Sequence, residues 1–555
     1  MRAEQPCLQT GAGLLVKSLE AQGVKHIFGI PGAKIDKVFD TLLDSTIQTV
    51  VCRHEQNAAF IAGGIGRMTG KAGVVLVTSG PGCSNLATGL ATANSEGDPV
   101  VAIGGAVSVE SSLKQVHQSM DTISLFRPIT KFCAEIDSPQ TVSEVVGNAF
   151  RAAESGRPGA AFISARQDIM IAGADGDVLT PVALEAGCAS AHAIAAAADL
   201  INRAERPILL LGLLASQPRP AEAVRELLTK AKLPVVGTYQ ATGIGSRDLL
   251  DCFGGRLGLF HNQPGDRLLD AADLVITVGY DPVEYEPSLW NKGSKRNLVH
   301  IDALPSAVDR DYHPQIELTG DIADTLRAIA RRLKPRTFSS ERTLLAEIAR
   351  DREAFSQEAA RMNGVPIHPM RIVYELQNLL SDDTTLCSDM GSFHIWLARH
   401  LYTFRARQVL ISNGQQTLGV ALPWAIAACL VRPNEKVISV SGDGGFLYSA
   451  MELETAVRLK CNFVHLVWID GGYDMVRFQQ VAKYGRASGV DFGPVDVVKY
   501  AEAFGAKGLR IQTPDAIAPT LKKAMAMQGP VVVGIPVDYR DNYRLLESLH
   551  PDVLN

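Results

Sequence analysis

The sequence predicts an α/β protein built of three stacked domains, each a doubly wound parallel sheet. Three observations carry that reading. Short apolar runs alternate with helix-spaced segments along the whole chain. Two polar connections, 172–190 and 334–363, divide the alternation into three blocks. The length of 555 residues suits about three domains. The expected boundaries are 8–171, 190–335 and 365–545.

In the first block, apolar runs at 26–29, 49–52, 73–78, 100–104 and 160–164 read as strands. Pro81, Gly82 and Asn85 follow one strand end and open a helical stretch over 86–94. Runs at 208–212, 234–237, 274–279 and 299–302 give the middle block a series of its own. The charged stretch 334–363 is expected to be an exposed helical connection. In the third block the strands are 437–441, 463–469 and a closing run at 531–536. The first and third blocks share an element order, and no short-period repeat occurs.

Composition narrows the function. Hydrophobic residues make up 46% and charged residues 20%, as in an ordinary globular protein with ample core. A formal charge of −5 and a pI near 6.2 leave no basic footprint, which argues against nucleic acid as a partner. No apolar run reaches the roughly 18–20 residues that span a bilayer, so no membrane role is expected. The first residues lack an apolar signal-peptide core, and a cytoplasmic location is expected. The nine cysteines are scattered without a C-x-x-C pair and read as free thiols.

Chemistry concentrates in the third block. The run 437–441 ends in Gly442-Asp443-Gly444-Gly445, and the run 463–469 ends in Asp470-Gly471-Gly472. Between them, 451–460 has helical spacing and a basic last turn. A right-handed parallel crossover puts both strand ends on one sheet edge. Asp443 and Asp470 can then converge on one hard cation, with the glycines letting backbone approach a diphosphate. Gly-Asp-Gly alone is also good turn chemistry, so the pairing of the two motifs carries the argument. The other phosphate signatures are missing: no G-x-x-x-x-G-K-[ST] occurs, and the candidate G-x-G-x-x-G stretches at Gly64-Ile65-Gly66 and Gly442-Asp443-Gly444 fail at the third glycine. In the first block, Arg53-His54-Glu55-Gln56-Asn57 follows a strand and heads an apolar helix. Glu55 is either a helix N-terminal acid or a proton shuttle whose pKa burial would raise.

With these motifs, the chain resembles the thiamine diphosphate enzymes of the acetohydroxyacid synthase and pyruvate oxidase type. The likeness runs through 28–36, 77–101, 114–121, 280–287, 389–396 and 412–425 as well as the acidic pair, and is nearest to the catabolic members. It implies a first domain for the cofactor's pyrimidine, a middle domain without a cofactor role, and a last domain for diphosphate. It also implies an active site shared between subunits, hence a dimer at least and a tetramer by expectation.

Residue by residue, the resemblance makes Glu55 the catalytic acid at the pyrimidine N1′. Asp443, Asp470 and the Gly472 carbonyl become magnesium ligands, flanked by Gly442, Gly444, Gly445 and Tyr473. Gly391, Ser392, Phe393 and His394 fall on the diphosphate loop. Leu418 is the apolar wedge that bends the cofactor, and Gln416 lies near the thiazolium. Lys34 and Gln118 are candidates for anchoring the substrate carboxylate, whereas His117 reads better as structural. The chain departs from many relatives at Gly471 and Asp474, where asparagine is frequent. The implied reaction decarboxylates pyruvate and joins the two-carbon unit to a second pyruvate, giving 2-acetolactate and carbon dioxide on the way to acetoin and butanediol. A flavin-containing biosynthetic enzyme is the nearest rival. Its middle domain usually carries R-F-D-D-R, where this chain has 278–287 (VGYDPVEYEP), so FAD is not expected. A simple 2-keto acid decarboxylase or oxidase is a second rival, told apart by its products from pyruvate alone. A non-catalytic nucleotide-binding protein on the same scaffold is a third, against which the intact Glu55, Asp443 and Asp470 speak.

Overall fold

The structure is a computed structural model that describes residues 9–182, 185–335 and 340–546. By contact the chain divides into two compact units. One comprises the described part of Met1–Leu184 with Leu422–Pro433 and Ser449–Cys461. The other comprises Glu185–Ala421, Asn434–Tyr448 and the described part of Asn462–Asn555.

The first unit holds one six-stranded sheet. Its strands are β1 (His26–Ile30), β2 (Gln48–Val51), β3 (Gly73–Val77), β4 (Val100–Ala106), β5 (Phe132–Ile136) and β6 (Ala160–Arg166). They run in the order β2-β1-β3-β4-β6-β5, and every pairing is parallel. All five residues of β3 are buried, as are the first six of β4. Continuous apolar runs of this kind are what a sheet covered on both faces requires. The helix Glu55–Thr69 starts four residues after β2. The His54 ring caps it by accepting the Gln56 N–H at 3.1 Å, and Gly70, at φ 73°, ends it with a left-handed turn.

The second unit holds two further parallel sheets. The first has β7 (Pro207–Leu211), β8 (Val235–Thr238), β9 (Phe253–Leu257), β10 (Leu274–Val278), β11 (Asn297–Asp302) and β12 (Ile316–Thr319), in the order β12-β11-β10-β7-β8-β9. Ile208 and Leu210 pack into one apolar cluster, whereas Leu209 and Leu211 pack into another. Alternate side chains thus fill cores on opposite faces, which is the doubly wound arrangement the sequence predicts. The last sheet has β13 (Thr384–Ser388), β14 (Val409–Ile411), β15 (Lys436–Gly442), β16 (Phe463–Ile469), β17 (Lys507–Arg510) and β18 (Val531–Pro536), ordered β14-β13-β15-β16-β18-β17.

The three-sheet α/β class agrees with the sequence reading. The strands β5, β9, β12, β13, β14 and β17 are additions to it. In the β15–β16 crossover a one-turn helix at Asp443–Phe446 precedes a 3-10 turn at Ala450–Glu452 and the α-helix Leu453–Arg458, the last shorter than the expected 451–460. The charged connection contains the helix Ser340–Arg361. Among the described residues, eight cysteines are free, and no helix is long and apolar enough to cross a membrane. Cys7 lies outside the described residues.

Candidate functional site

Strands β15 and β16 pair in parallel with Gly442 opposite Trp468. The residues that follow them, Asp443 and Asp470, therefore leave the same sheet edge from neighbouring strands. Asp443 Oδ2 accepts the Gly471 N–H at 2.9 Å, and its Oδ1 accepts the Gly444 N–H at 3.1 Å, so one carboxylate ties the two loops together. Asp470 is different. Its Oδ2 is buried and has no hydrogen-bond partner. The Arg477 Nη1 lies 3.6 Å away, but that guanidinium is engaged by Asp491 at 2.6 Å. Burial, then the charges of Asp443 and Asp474, push Asp470 up to about 8. Burial also raises Asp443, against the pull of the backbone N–H groups.

A buried carboxylate oxygen without a partner, next to a second carboxylate, fits a hard divalent cation. Among the described residues no group of three or more His, Cys, Asp or Glu is placed to hold a metal. Two carboxylates leave the rest of an octahedral shell to a backbone carbonyl, water and ligand oxygens, which is how magnesium is usually held on a phosphate.

Beside this pair is a cleft of about 260 Å³. Its wall includes Gly391, Ser392, Phe393, Gln416, Leu418, Gly442, Gly444, Gly445, Asp470, Gly472 and Tyr473. These residues come from four separate stretches, and the third sheet brings them to one place. A Cβ at Gly472 would stand 2.7 Å from the Val490 carbonyl oxygen, and one at Gly444 would stand 2.7 Å from the Tyr473 ring. Bare backbone at these points keeps the cleft open. The helix Ser392–His400 starts at the wall, so its positive end and the N–H groups ahead of His394, whose own N–H donates to the Gly391 carbonyl at 3.0 Å, face an anion bound there.

Not every residue named from the sequence reaches the wall. His394, two residues into that helix, is fully buried edge-on to Tyr239, with ring centroids 5.5 Å apart. Its ring nitrogens have no partner, and burial pushes it down to about 3, so it is a neutral packing residue. The helical period turns it away from Ser392 and the cleft. The Ser392 hydroxyl donates to Asp474 at 2.6 Å, and Asn542 donates to the same carboxylate oxygen. The acid at 474 is therefore locked at the head of its own helix, Asp474–Tyr484.

Met390, Met475, Val476, Gln479 and Tyr539 also line the cleft, none of them singled out by the sequence reading. Met475, Val476 and Gln479 follow the second acidic motif on the Asp474 helix, a signal that adjacency alone could have supplied. Asp389 was also missed as a site residue. Buried at the end of β13, it accepts the N–H groups of Met390 and Gly419, and so joins the loop before Ser392 to the loop after Leu418.

The first unit presents Glu55. It is buried at the first turn of its helix, and its Oε2 accepts from the Asn85 side chain at 2.9 Å. A Cβ at Gly82 would stand 3.7 Å from Oε1, so that oxygen faces bare backbone. Burial, then the charge of Glu55, pushes the Cys83 thiol up to about 12 and keeps it protonated. Glu452, unmarked in the sequence, pins the approach to Glu55. One of its oxygens accepts the N–H groups of Arg53 at 2.9 Å and His54 at 3.1 Å, and the Asn57 amide at 3.2 Å. Lys34 follows β1, and its Nζ lies 3.4 Å from Gln167 Oε1. Gln118 takes a left-handed φ of 64° and accepts from Ser79 at 3.3 Å, just beyond β3. Both residues are half-buried over the C-terminal edge of the sheet whose β2 leads into Glu55.

Comparison with known proteins agrees with the three-sheet α/β architecture. Three family models match: the thiamine pyrophosphate enzyme N-terminal TPP binding domain at residues 9–125, the central domain at 194–329 and the C-terminal TPP binding domain at 389–535. The chain is 56% identical to the catabolic acetolactate synthase of Raoultella terrigena, over 97% of this chain and 97% of that protein. It is 51% identical to an acetolactate synthase of Bacillus subtilis, over 98% and 95% of the two chains. It is 30% identical to the acetolactate synthase isozyme 2 large subunit of Escherichia coli K12, over 96% of each. With all three domains matched and both chain lengths nearly covered, the chain belongs to the acetolactate synthase family of thiamine pyrophosphate enzymes.

Proposed function

We propose that this protein is a catabolic acetolactate synthase, dependent on thiamine diphosphate and magnesium. It takes two pyruvates to 2-acetolactate and carbon dioxide, a route toward acetoin. The observation that carries the reading is the partnerless buried oxygen of Asp470 beside Asp443, at the rim of a glycine-walled cleft. We assign the pyrimidine, central and diphosphate domains to 8–171, 190–335 and 365–545.

When bound, the cofactor supplies the electron sink for decarboxylation and the carbon nucleophile for ligation. Asp443, Asp470 and the Gly472 carbonyl would hold the magnesium ion. Backbone N–H groups at Gly391, Ser392 and Phe393 and at Gly442 and Gly445 would receive the diphosphate, with Tyr473 at the wall. The N–H groups of Gly444 and His394 are already bonded to Asp443 and to the Gly391 carbonyl. The Ser392 hydroxyl is already committed to Asp474, so this residue would bind through its main chain. Leu418 supplies bulk without a polar atom, and Gln416 lies two residues before it. Glu55 would hold and pass a proton at Oε1, while Asn85 fixes Oε2. Lys34 and Gln118 would meet the substrate carboxylate. In this reading a dimer is the smallest active unit, a tetramer is expected, and the enzyme is cytoplasmic.

The enzyme is proposed to work without flavin. Glu284, within the 278–287 stretch, sends its carboxylate to the Leu213 N–H at 3.0 Å for each oxygen, and to the Asp281 N–H at 3.2 Å. Those groups follow β7 and β10, the point where the strand order of the central sheet reverses and nucleotides commonly bind. The internal Glu284 carboxyl group occupies that place.

A colorimetric acetoin assay after acidifying a pyruvate reaction, run with and without thiamine diphosphate and magnesium, tests the reading. Acetoin formed only with both supports it. Equal turnover after complete removal of both overturns it. Absorbance in the flavin band of the purified protein would overturn the flavin-free form alone.

A further inference from the structure

A second cleft, of about 290 Å³, lies in the same unit and shares no wall residue with the first. Three arginines line it: Arg256 on β9, Arg352 on the helix Ser340–Arg361, and Arg399 near the end of the helix Ser392–His400. Among the described residues none of them has a carboxylate partner. Arg256 is 6% exposed, and its guanidinium meets only the carbonyls of Ala398, at 2.7 Å from Nε, and Leu401. Arg399 donates to the Tyr239 hydroxyl at 3.1 Å and the Asn262 side chain at 2.7 Å, both uncharged. Arg352 stacks on the Tyr402 ring, 5.1 Å from its centroid.

A buried cation without an opposite charge is costly, and folded proteins ordinarily pair it. The field here is strong enough to act on a neighbour. His400, which stacks on Phe355 at 3.8 Å, is pushed down to about 3 by burial and then by Arg399 and Arg256. The two acids on the cleft wall do not cancel the excess. Asp351 lies 3.7 Å from Arg267, and Glu353 is exposed and accepts from Gln357.

We propose that this cleft is a binding site for a compact dianion, a phosphate or a dicarboxylate, held by Arg256, Arg352 and Arg399. Guanidinium forks suit both oxyanion classes, and charge-assisted bonds in a sheltered cleft are the strong ones. Arg256 has N–H groups left over after its two carbonyl bonds. The rings of Phe355 and Tyr402 form apolar parts of the cleft wall.

The test is calorimetric titration of the full chain, saturated with thiamine diphosphate and magnesium so that the first cleft is filled. Inorganic phosphate and succinate are titrated separately at constant ionic strength. Saturable binding of either anion is expected, and the arm that binds names the source. Loss of one charge-assisted contact in Arg352→Ala should weaken binding by about tenfold. Among the described residues this arginine makes no ion pair and stacks on a ring, so its loss should leave the fold and basal pyruvate turnover unchanged. Arg256→Gln should weaken binding further, and Arg352→Ala decides the matter should that variant not fold. Absence of saturable heat with both anions, or affinity unchanged in Arg352→Ala, overturns the proposal.

Discussion

The Asp389 carboxylate accepts the Gly419 N–H on both of its oxygens, at 2.9 Å each. The same group accepts the Met390 N–H at 2.8 Å and caps the start of the helix Ala421–Val431. One buried side chain thus sets the spacing between the Gly391–Phe393 loop and Leu418. Burial pushes it up to about 7, against four backbone N–H groups that favour its charge. Asp389→Ala should weaken thiamine diphosphate binding and lower stability by about 1–3 kcal/mol, the usual cost of stranding buried donors. Denaturant melts and cofactor titration check both effects. Unchanged cofactor affinity would leave Asp389 with a packing role only.

Glu55→Gln keeps an oxygen to accept from Asn85 but cannot release a proton. It should fold normally and lose about 10²–10⁴ in turnover, the range for a removed general acid–base group. Steady-state assays and circular dichroism read the two halves of that expectation. Near-normal turnover would take Glu55 out of the mechanism.

Asp443→Ala should lose cofactor retention. It removes one ligand and also frees the Gly471 loop that Oδ2 holds. Calorimetry with thiamine diphosphate in excess magnesium should show affinity at least about tenfold lower, the worth of one lost charge-assisted contact. A chelator should strip cofactor from the wild type but have little left to remove from the variant. Wild-type affinity in Asp443→Ala would contradict the metal assignment.

Glu284 gives a pH prediction. It is fully buried, and burial raises its carboxyl to about 8. Between the ordinary glutamate value, about 4.3, and this one, the native state holds more protons than the unfolded state. Stability from this group is therefore greatest at low pH and falls as pH rises through about 8. Glu284→Gln should flatten the decline of the thermal midpoint across that window. It should not abolish it, because Asp389 contributes with the same sign. A decline as steep as wild type would remove Glu284 as its source.

The fold was largely legible because central parallel strands are buried on both faces and spell continuous apolar runs. β3, β7 and β10 are buried at every residue. The strands that escaped notice differ for a physical reason. Five of the six, β5, β9, β12, β14 and β17, lie at sheet edges. An edge strand has one neighbour and more water, so FCAEI in β5 and KGLR in β17 carry charge and show half-exposed faces. β13 is buried but polar, TTLCS, and has no apolar run to give it away.

The sequence by itself determined the class, the three sheets and the acidic pair. Apolar periodicity and short glycine motifs are local properties, and chain order alone sends Asp443 and Asp470 to neighbouring strand ends. Only the tertiary structure decided which Asp470 oxygen is left partnerless, that His394 turns inward, and that Asp389 and Glu452 brace segments far from them in the chain. Those outcomes depend on where side chains meet after packing, and hydrogen bonds between distant segments leave no periodic trace in the chain that makes them.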